Sequence, residues 1–323
     1  MYFGLRFDLR NPDIAPTQPA DRYEAAIEMA EWAEGLGGLS VAVSEHHGSP
    51  DGYLPSPIPL LAAMAARTTT IRLMIAALIA PFYEPLRLAE DLIVLDIVSR
   101  GRVDLILGAG YVHEEFDLFG VGMRDRPRLM TETVHTLRGA FSGDPFQFRG
   151  RTVQLTPAPF RPGGPSIILG GSSEPAARRA ARIGDGFIPS SPEVWEAYRD
   201  EVQRLGRPDP GPCPTGPTSV VAFAKDVEEG WEAMGPFFLH EMNSYGSWQA
   251  QDDLPTPYHV VQDLDELRAT GNYRVVTPAE FVAEQQLTPV AYLGLHPMCG
   301  GMPPELAWSS LRLFEREVLP ALA

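Results

Sequence analysis

Three adjacent residues, Glu45, His46 and His47, combine a carboxylate with two imidazoles. Such groups accept and release protons, and an imidazole titrates near neutrality. They close the stretch Leu39 to His47, L-S-V-A-V-S-E-H-H, in which valines alternate with small residues as a strand requires. Parallel α/β folds build their sites at the C-terminal edge of the strands, which is where this triplet falls. Carboxylate and imidazole also bind metals. Neighbours on an extended segment point to opposite sides, however, so one triplet cannot supply a whole coordination shell. His113, His135, His240, His259 and His296 show no HxH or HxxxH spacing that completes one. The triplet therefore reads as proton-transferring or charge-stabilising, with His46 and Glu45 as catalytic candidates, and no metal is expected.

Three further groups follow apolar strand-like runs. Gly108-Ala109-Gly110-Tyr111 is a tight turn with exposed backbone. It shares G-x-G with dinucleotide-binding loops, but the third glycine and the later acidic residue are missing, so a Rossmann reading is rejected. Gly170-Gly171-Ser172-Ser173 precedes a helix. Its glycines admit close backbone approach, its serines offer hydroxyls, and the helix N-terminus favours an anion such as one phosphate. An ordinary serine N-cap fits these four residues equally well. Ala76-Ala77 offers two small side chains near the end of a strand, where on composition alone simple core packing is the better reading.

The elements that position these groups alternate. Strands are expected at Tyr2–Asp8, Leu39–Ser44, Ile71–Ile79, Val103–Leu107, Ser166–Leu169, Gly186–Pro189, Thr218–Ala224 and Val290–Leu295, with amphipathic helices between them. Residues 174–183 form one of these helices, with its arginines and glutamates expected outside. Strand–helix–strand units are parallel and right-handed, and eight of them favour a (β/α)8 TIM barrel. A single domain over residues 1–323 is expected, with non-barrel excursions near 143–165, which holds a small hairpin, and 249–276. The chain carries 26 Lys plus Arg against 42 Asp plus Glu, a net charge of −16. That argues against nucleic acid or an anionic membrane surface as partner. Two cysteines make no disulfide framework. No apolar run reaches the roughly 18 residues of a membrane span, and the N-terminus lacks a signal-peptide layout. A cytoplasmic protein is expected.

In combination and in order, these pieces resemble the bacterial luciferase-like flavin monooxygenase family. The resemblance rests on A-E-G-L-G-G-L-S-V-A-V-S-E-H-H, on I-R-L-M-I-A-A-L-I-A-P-F-Y-E-P-L-R-L-A-E-D and on G-A-G-Y-V-H-E-E-F-D-L-F-G-V. It continues at G-G-S-S-E-P-A-A-R-R-A-A-R-I-G-D-G-F and G-G-M-P-P-E-L-A-W-S-S-L-R-L-F, and it is weak between about residues 206 and 286. The resemblance implies a barrel that binds reduced FMN, or alternatively the deazaflavin F420, at its C-terminal face. It implies that His46 lies beside the flavin ring and supports its oxygen chemistry. It implies that Ala76-Ala77 is a non-proline cis peptide against the ring. Gly108, Gly110 and Tyr111 would border the ring, and Gly170, Gly171, Ser172 and Ser173 would hold the phosphate. Luciferase has a phosphate-binding arginine at the position matching Ala109, which this chain lacks. Deazaflavin-dependent relatives often carry an aromatic residue where this chain has Pro50, which favours FMN. The expected activity is monooxygenation of a small organic substrate, with a separate flavin reductase as partner and a homodimer as the assembly. The rivals are an F420-dependent hydride-transfer enzyme, a non-catalytic flavin-binding relative, and a metallohydrolase using Glu45 and His46.

Overall fold

The computed structural model describes residues 1–14, 16–214, 219–251 and 256–322. Strand β1 (Tyr2–Phe7) leads through helix α1 (Pro19–Gly35) to β2 (Ser40–Val43). Helix α2 (Pro57–Arg67), β3 (Arg72–Ile79), α3 (Pro85–Ser99) and β4 (Val103–Gly108) continue the alternation. A short α4 (His113–Phe119) and a longer α5 (Arg126–Phe141) follow. Next come β5 (Phe146–Phe148) and β6 (Arg151–Val153), an antiparallel hairpin that fills the first expected excursion. Then β7 (Ile167–Gly171), α6 (Glu174–Ile183), β8 (Gly186–Pro189) and α7 (Pro192–Arg204) resume the rhythm. The last part runs β9 (Val220–Phe223), α8 (Val227–Gln249), α9 (Leu264–Thr270), β10 (Tyr273–Val276), α10 (Pro278–Leu287), β11 (Tyr292–Leu295) and α11 (Pro304–Leu313).

Helices α1, α2, α3, α5, α6, α7, α10 and α11 carry proline in their first or second position. Proline has the φ a helix needs there and lacks only an N–H that has no helical partner. These prolines therefore mark helix starts, while those at 157–165 and 208–214 lie in irregular segments.

Seven strands form one curled parallel sheet in the order β11-β1-β2-β3-β4-β7-β8. Strands β9 and β10 pair with each other, also in parallel, as a separate ribbon. The expected set of eight strands is thus met as a curled sheet of seven plus this ribbon. Strand β10 was not expected, because only four residues, Y-R-V-V, separate the turn at Gly271-Asn272 from the Thr277 capping box. The expected start of β9 at Thr218, and residues 252–255 of the second excursion, lie outside the described residues. Phe3, Leu5 and Phe7 of β1 are buried, as are Val41 and Val43, Leu73 and Ile75, and Leu105 and Leu107. These alternate side chains meet the apolar faces of α1, α2 and α3, so the sheet is anchored from behind while its other face is free to build a site.

The end of the sheet away from that site is tied by one arginine. The buried Arg102 donates from Nε to the Ser99 carbonyl at 2.7 Å and from Nη2 to the Ala65 and Thr68 carbonyls at 2.9 Å. Its Nη1 reaches Thr68 Oγ1 at 2.9 Å and the Ile71 carbonyl at 3.0 Å. One planar fork thereby closes the C-terminal end of α2, the entry to β3 and the end of α3. Arg102→Met leaves these carbonyls without donors. It is expected to lower stability by about 3 kcal/mol, read as a shift in the urea midpoint, with ligand affinity at the opposite face unchanged within twofold.

Candidate active site

A cavity of about 680 Å³ opens at the C-terminal edge of the curled sheet. The structure brings all the expected site residues to its wall: Glu45 and His46, Ala76 and Ala77, Gly108, Gly110 and Tyr111, and Gly170 through Ser173. They come from the ends of β2, β3, β4 and β7, four consecutive strands of the sheet.

His46 is buried and held on all sides. Its Nδ1 lies 2.8 Å from Oε1 of the buried Glu115, and the same oxygen accepts the His47 backbone N–H at 2.8 Å. An ionised carboxylate only accepts, so Nδ1 carries the proton and Nε2 presents a lone pair. Tyr111 Oη stands 3.3 Å from that Nε2. The ring stacks at a tilt on Trp248, 4.4 Å between centroids, and meets Tyr53 edge-on at 4.8 Å. Burial pushes the His46 pKa below the ordinary histidine value and outweighs the opposing pull of Glu115. The group is a neutral imidazole of fixed tautomer at the cavity wall.

Glu45 is arranged differently. Its Oε1 accepts from His47 Nε2 at 2.7 Å and from Tyr83 Oη at 2.9 Å, and its Oε2 accepts the Ile79 N–H at 3.0 Å. The two expected catalytic neighbours therefore do not act on each other: Glu45 pairs with His47, and His46 pairs with Glu115. Glu115 was missed by sequence reasoning. Glu114 beside it has the same side chain and stays exposed, so only the turn of α4 separates them.

The middle of the cavity is lined by close backbone. The Ala76–Ala77 peptide bond is cis. The pairing of β3 with β4 shifts register there, from Ala76↔Ile106 to Leu78↔Leu107. Gly108 lies against this point, since a Cβ built on it would stand 3.3 Å from Ala77 Cβ. Gly110 has φ +76°, and a Cβ there would come within 2.9 Å of both Ile79 and Phe116. Only glycine meets both demands.

The far end is an open donor site. Ser173 is the N-cap residue of α6, yet no side chain caps that helix; Ser191 does cap α7. The plain N-cap alternative for Ser172-Ser173 is therefore not what forms. The first N–H groups of α6 and both hydroxyls are left for another acceptor. Three arginines line the cavity, and two of them, Arg126 and Arg179, come from α5 and α6. Arg126 donates to the Gly110 carbonyl at 2.8 Å and to the Met123 carbonyl at 2.9 Å. Arg179 was expected on the outer face of its helix, but it lines the cavity instead. Burial lowers its pKa, and no carboxylate pairs with it among the described residues. Its neighbour Arg178 does point outward, to Glu174 and Glu201. Arginines at adjacent helical positions point about 100° apart, and the sequence alone does not say which one turns inward.

Comparison with known proteins agrees with this geometry. The family model for luciferase-like monooxygenases matches residues 1–288. The monooxygenase RslO1 of Streptomyces bottropensis is 25% identical, with 100% of each chain covered and a TM-score of 0.73. The oxygenating constituent of 3,6-diketocamphane monooxygenase, from the CAM plasmid of Pseudomonas putida and solved with FMN, is 20% identical. It has a TM-score of 0.72, with 99% and 98% of the chains covered. An F420-dependent glucose-6-phosphate dehydrogenase of Nocardia farcinica is 30% identical over 187 residues, 54% of this chain and 56% of that one. The chain spans about half the length of several of the curated relatives it matches. With a model match over most of its length and a full-length structural likeness, the chain belongs to the luciferase-like monooxygenase family.

Proposed function

We propose that the protein is a flavin-dependent monooxygenase that uses reduced FMN and dioxygen on a small organic substrate. The observation that carries this reading is the layout of one cavity. An uncapped helix N-terminus with Ser172, Ser173, Arg126 and Arg179 stands at one end, and a neutral, oriented His46 stands at the other. Glycines and two alanines that admit a flat ring lie between them. The donor set fits a phosphate, because it offers hydroxyls, backbone N–H groups and two cations, and no carboxylate of the described residues faces it. The 3,6-diketocamphane enzyme, of the same fold, was solved with FMN.

When bound, reduced FMN supplies the electrons that activate dioxygen, so that one oxygen atom goes to the substrate and the other to water. The chain does the rest. Ser172, Ser173 and Arg179 bind the phosphate, and Arg126 adds charge while holding the Gly110 turn. Ala76, Ala77, Gly108 and Gly110 seat the ring. Glu115 keeps His46 in the Nδ1–H tautomer, so Nε2 accepts a proton or hydrogen bond from the reacting groups. Tyr53, Tyr245 and Trp248 exclude water from the His46 side. Glu45 is read as a positioning residue, since its oxygens already hold His47, Tyr83 and Ile79.

The second reading, an F420-dependent oxidoreductase, is favoured by the Nocardia farcinica relative. The proposal also takes the curled sheet and the β9–β10 ribbon as one (β/α)8 barrel domain. It places the protein in the cytoplasm, with a separate reductase as the source of reduced flavin. No helix of the described residues is long and apolar enough to cross a membrane. Val94 and Val98, one turn apart on α3, are exposed apolar side chains in the first half. They support a homodimer, which sedimentation equilibrium tests.

Anaerobic titration with oxidised FMN, reduced FMN and F420, followed by air, separates the two readings. Reduced FMN is expected to bind tightest and to react with dioxygen when substrate is present. Tight F420 binding without oxygen reactivity moves the protein to the second reading. His46→Asn is expected to lower turnover at least tenfold with flavin affinity unchanged, and unchanged turnover removes His46 from the mechanism. Because burial lowers the His46 pKa, its neutral form persists below the ordinary value of about 6.5. The acid limb of kcat/KM is therefore expected below pH 6.5. Glu115→Gln removes a group that raises this pKa, so it moves the limb lower still while reducing turnover.

A further inference from the structure

Arg6 has no place in the flavin reading above. It lies on β1, at the cavity wall beside Ser44 and Tyr245, and its side chain keeps 32% of its surface exposed. Its Nη2 donates to Tyr245 Oη at 2.7 Å, and its Nε reaches Ser44 Oγ at 3.4 Å. The nearest carboxylate, Glu241, stays 3.8 Å away. Glu241 divides its oxygens: Oε2 accepts from Tyr273 Oη at 2.9 Å and Cys299 Sγ at 2.8 Å, while Oε1 lies 3.3 Å from His296 Nδ1 and 3.8 Å from Arg6, an ion pair too long for a hydrogen bond. A guanidinium carries five N–H donors in a fixed fork. None of Arg6's nitrogens is among the buried atoms left without a partner. Tyr258 also hydrogen-bonds Arg6, and the exposed part of the side chain faces the cavity.

Position separates Arg6 from the phosphate site. In the sheet order, β1 and β7 are four strand spacings apart, roughly 19 Å along the curved sheet at about 4.8 Å per strand. The bare backbone of β3 and β4 lies between them. Arg6 instead adjoins the His46 side, where Tyr53, Tyr245 and Tyr258 supply aromatic surface. Charge points the same way. Among the described residues, the cavity wall carries Arg6, Arg126 and Arg179 against Glu45 alone, and Glu45 is already committed to three donors.

We propose that Arg6 is a specificity residue that binds an anionic oxygen of the substrate, and that the substrate is a flat ring compound bearing a carboxylate. This rests on the flavin reading for the position of the ring system, with Arg6 beyond it. The fork pairs with the two carboxylate oxygens, Tyr245 holds the guanidinium in place, and the substrate ring lies among the tyrosines with its reacting carbon toward His46. A neutral analogue forgoes the charge-assisted, paired hydrogen bonds to the fork and binds more weakly.

The test is calorimetric titration of the full chain, with and without saturating FMN, using benzoate and 2-naphthoate and their neutral amides. The carboxylates are expected to bind at least tenfold tighter than the amides. Arg6→Met is expected to abolish that preference, with FMN affinity unchanged within twofold. Arg6→Lys keeps the charge without the fork and is expected to retain part of the preference, which covers the case in which the methionine variant does not fold. Equal binding of acids and amides by the natural protein overturns the proposal, as does a preference that survives both substitutions, or no binding of any probe. A protein that binds FMN yet shows no acid preference refutes only the role of Arg6. One that prefers the acids yet binds no flavin refutes the flavin reading.

Discussion

The carboxylate of Glu45 is the joint on which the site turns. A buried carboxylate is stable only where donors meet its oxygens. Here three donors do so, and each comes from a different place: the His47 ring two residues on, the Ile79 N–H at the end of β3, and the Tyr83 hydroxyl beyond it. The end of β2 is thereby tied to the end of β3. Side chains alternate along an extended chain. Once the Glu45 and His47 side chains pair, His46 turns the other way, toward Glu115. The three residues look like one catalytic cluster in the sequence. In the fold they are a fastening and a reactive group on opposite sides of one backbone segment.

Beneath the cavity, the chain buries charge on a scale that constrains the whole C-terminal face. Asp8, Arg10, Glu241 and His296 are all nearly inaccessible. Arg10 faces Asp8 and Asp51, while Asp51 also holds His240 at 2.7 Å. The Arg10 guanidinium lies 4.6 Å from the Tyr53 ring and 5.0 Å from the Trp248 ring, so a cation supports the same aromatic side chains that enclose His46. Removing one member of such a layer leaves its partner charged and unpaired. Residues from β1, the loop after β2, α8 and the segment after β11 are therefore locked together by electrostatics as well as by packing. The protein is strongly acidic overall, yet the described residues of the cavity wall carry three arginines against one carboxylate. Net charge describes the outer surface and says little about a site built from a few inward side chains.

What the sequence made legible was the part set by backbone periodicity. Alternating valines located β2, apolar runs located β3 and β4, and glycines after β4 and β7 marked where backbone is bared. The missed features share a cause: each depends on the direction of one side chain among near-identical neighbours. Glu115 differs from Glu114, and Arg179 from Arg178, only by rotation about a helix axis. Arg6 sits in a strand whose apolar alternation hides its inward face. Strand β10 was missed because four residues are too few to show a period.

The replacement of the luciferase phosphate arginine by Ala109 follows from how the two kinds of interaction decay with distance. Coulomb attraction falls slowly. At an effective dielectric constant near 20, two unit charges gain about 4 kcal/mol at 4 Å and still about 3 kcal/mol at 6 Å. Hydrogen bonds weaken steeply once distance or angle departs from the optimum. A phosphate site therefore needs exact placement of its hydrogen-bond donors, but only approximate placement of its cations. On the reading proposed here, the exact donors are the first turn of α6 and the serines that precede it, and they stand where the family resemblance puts them. On the same reading, the cations are Arg179 on α6 and Arg126 on α5. Arg126 also donates to the Gly110 carbonyl, so the turn that lost an arginine at Ala109 is held by one from the next helix.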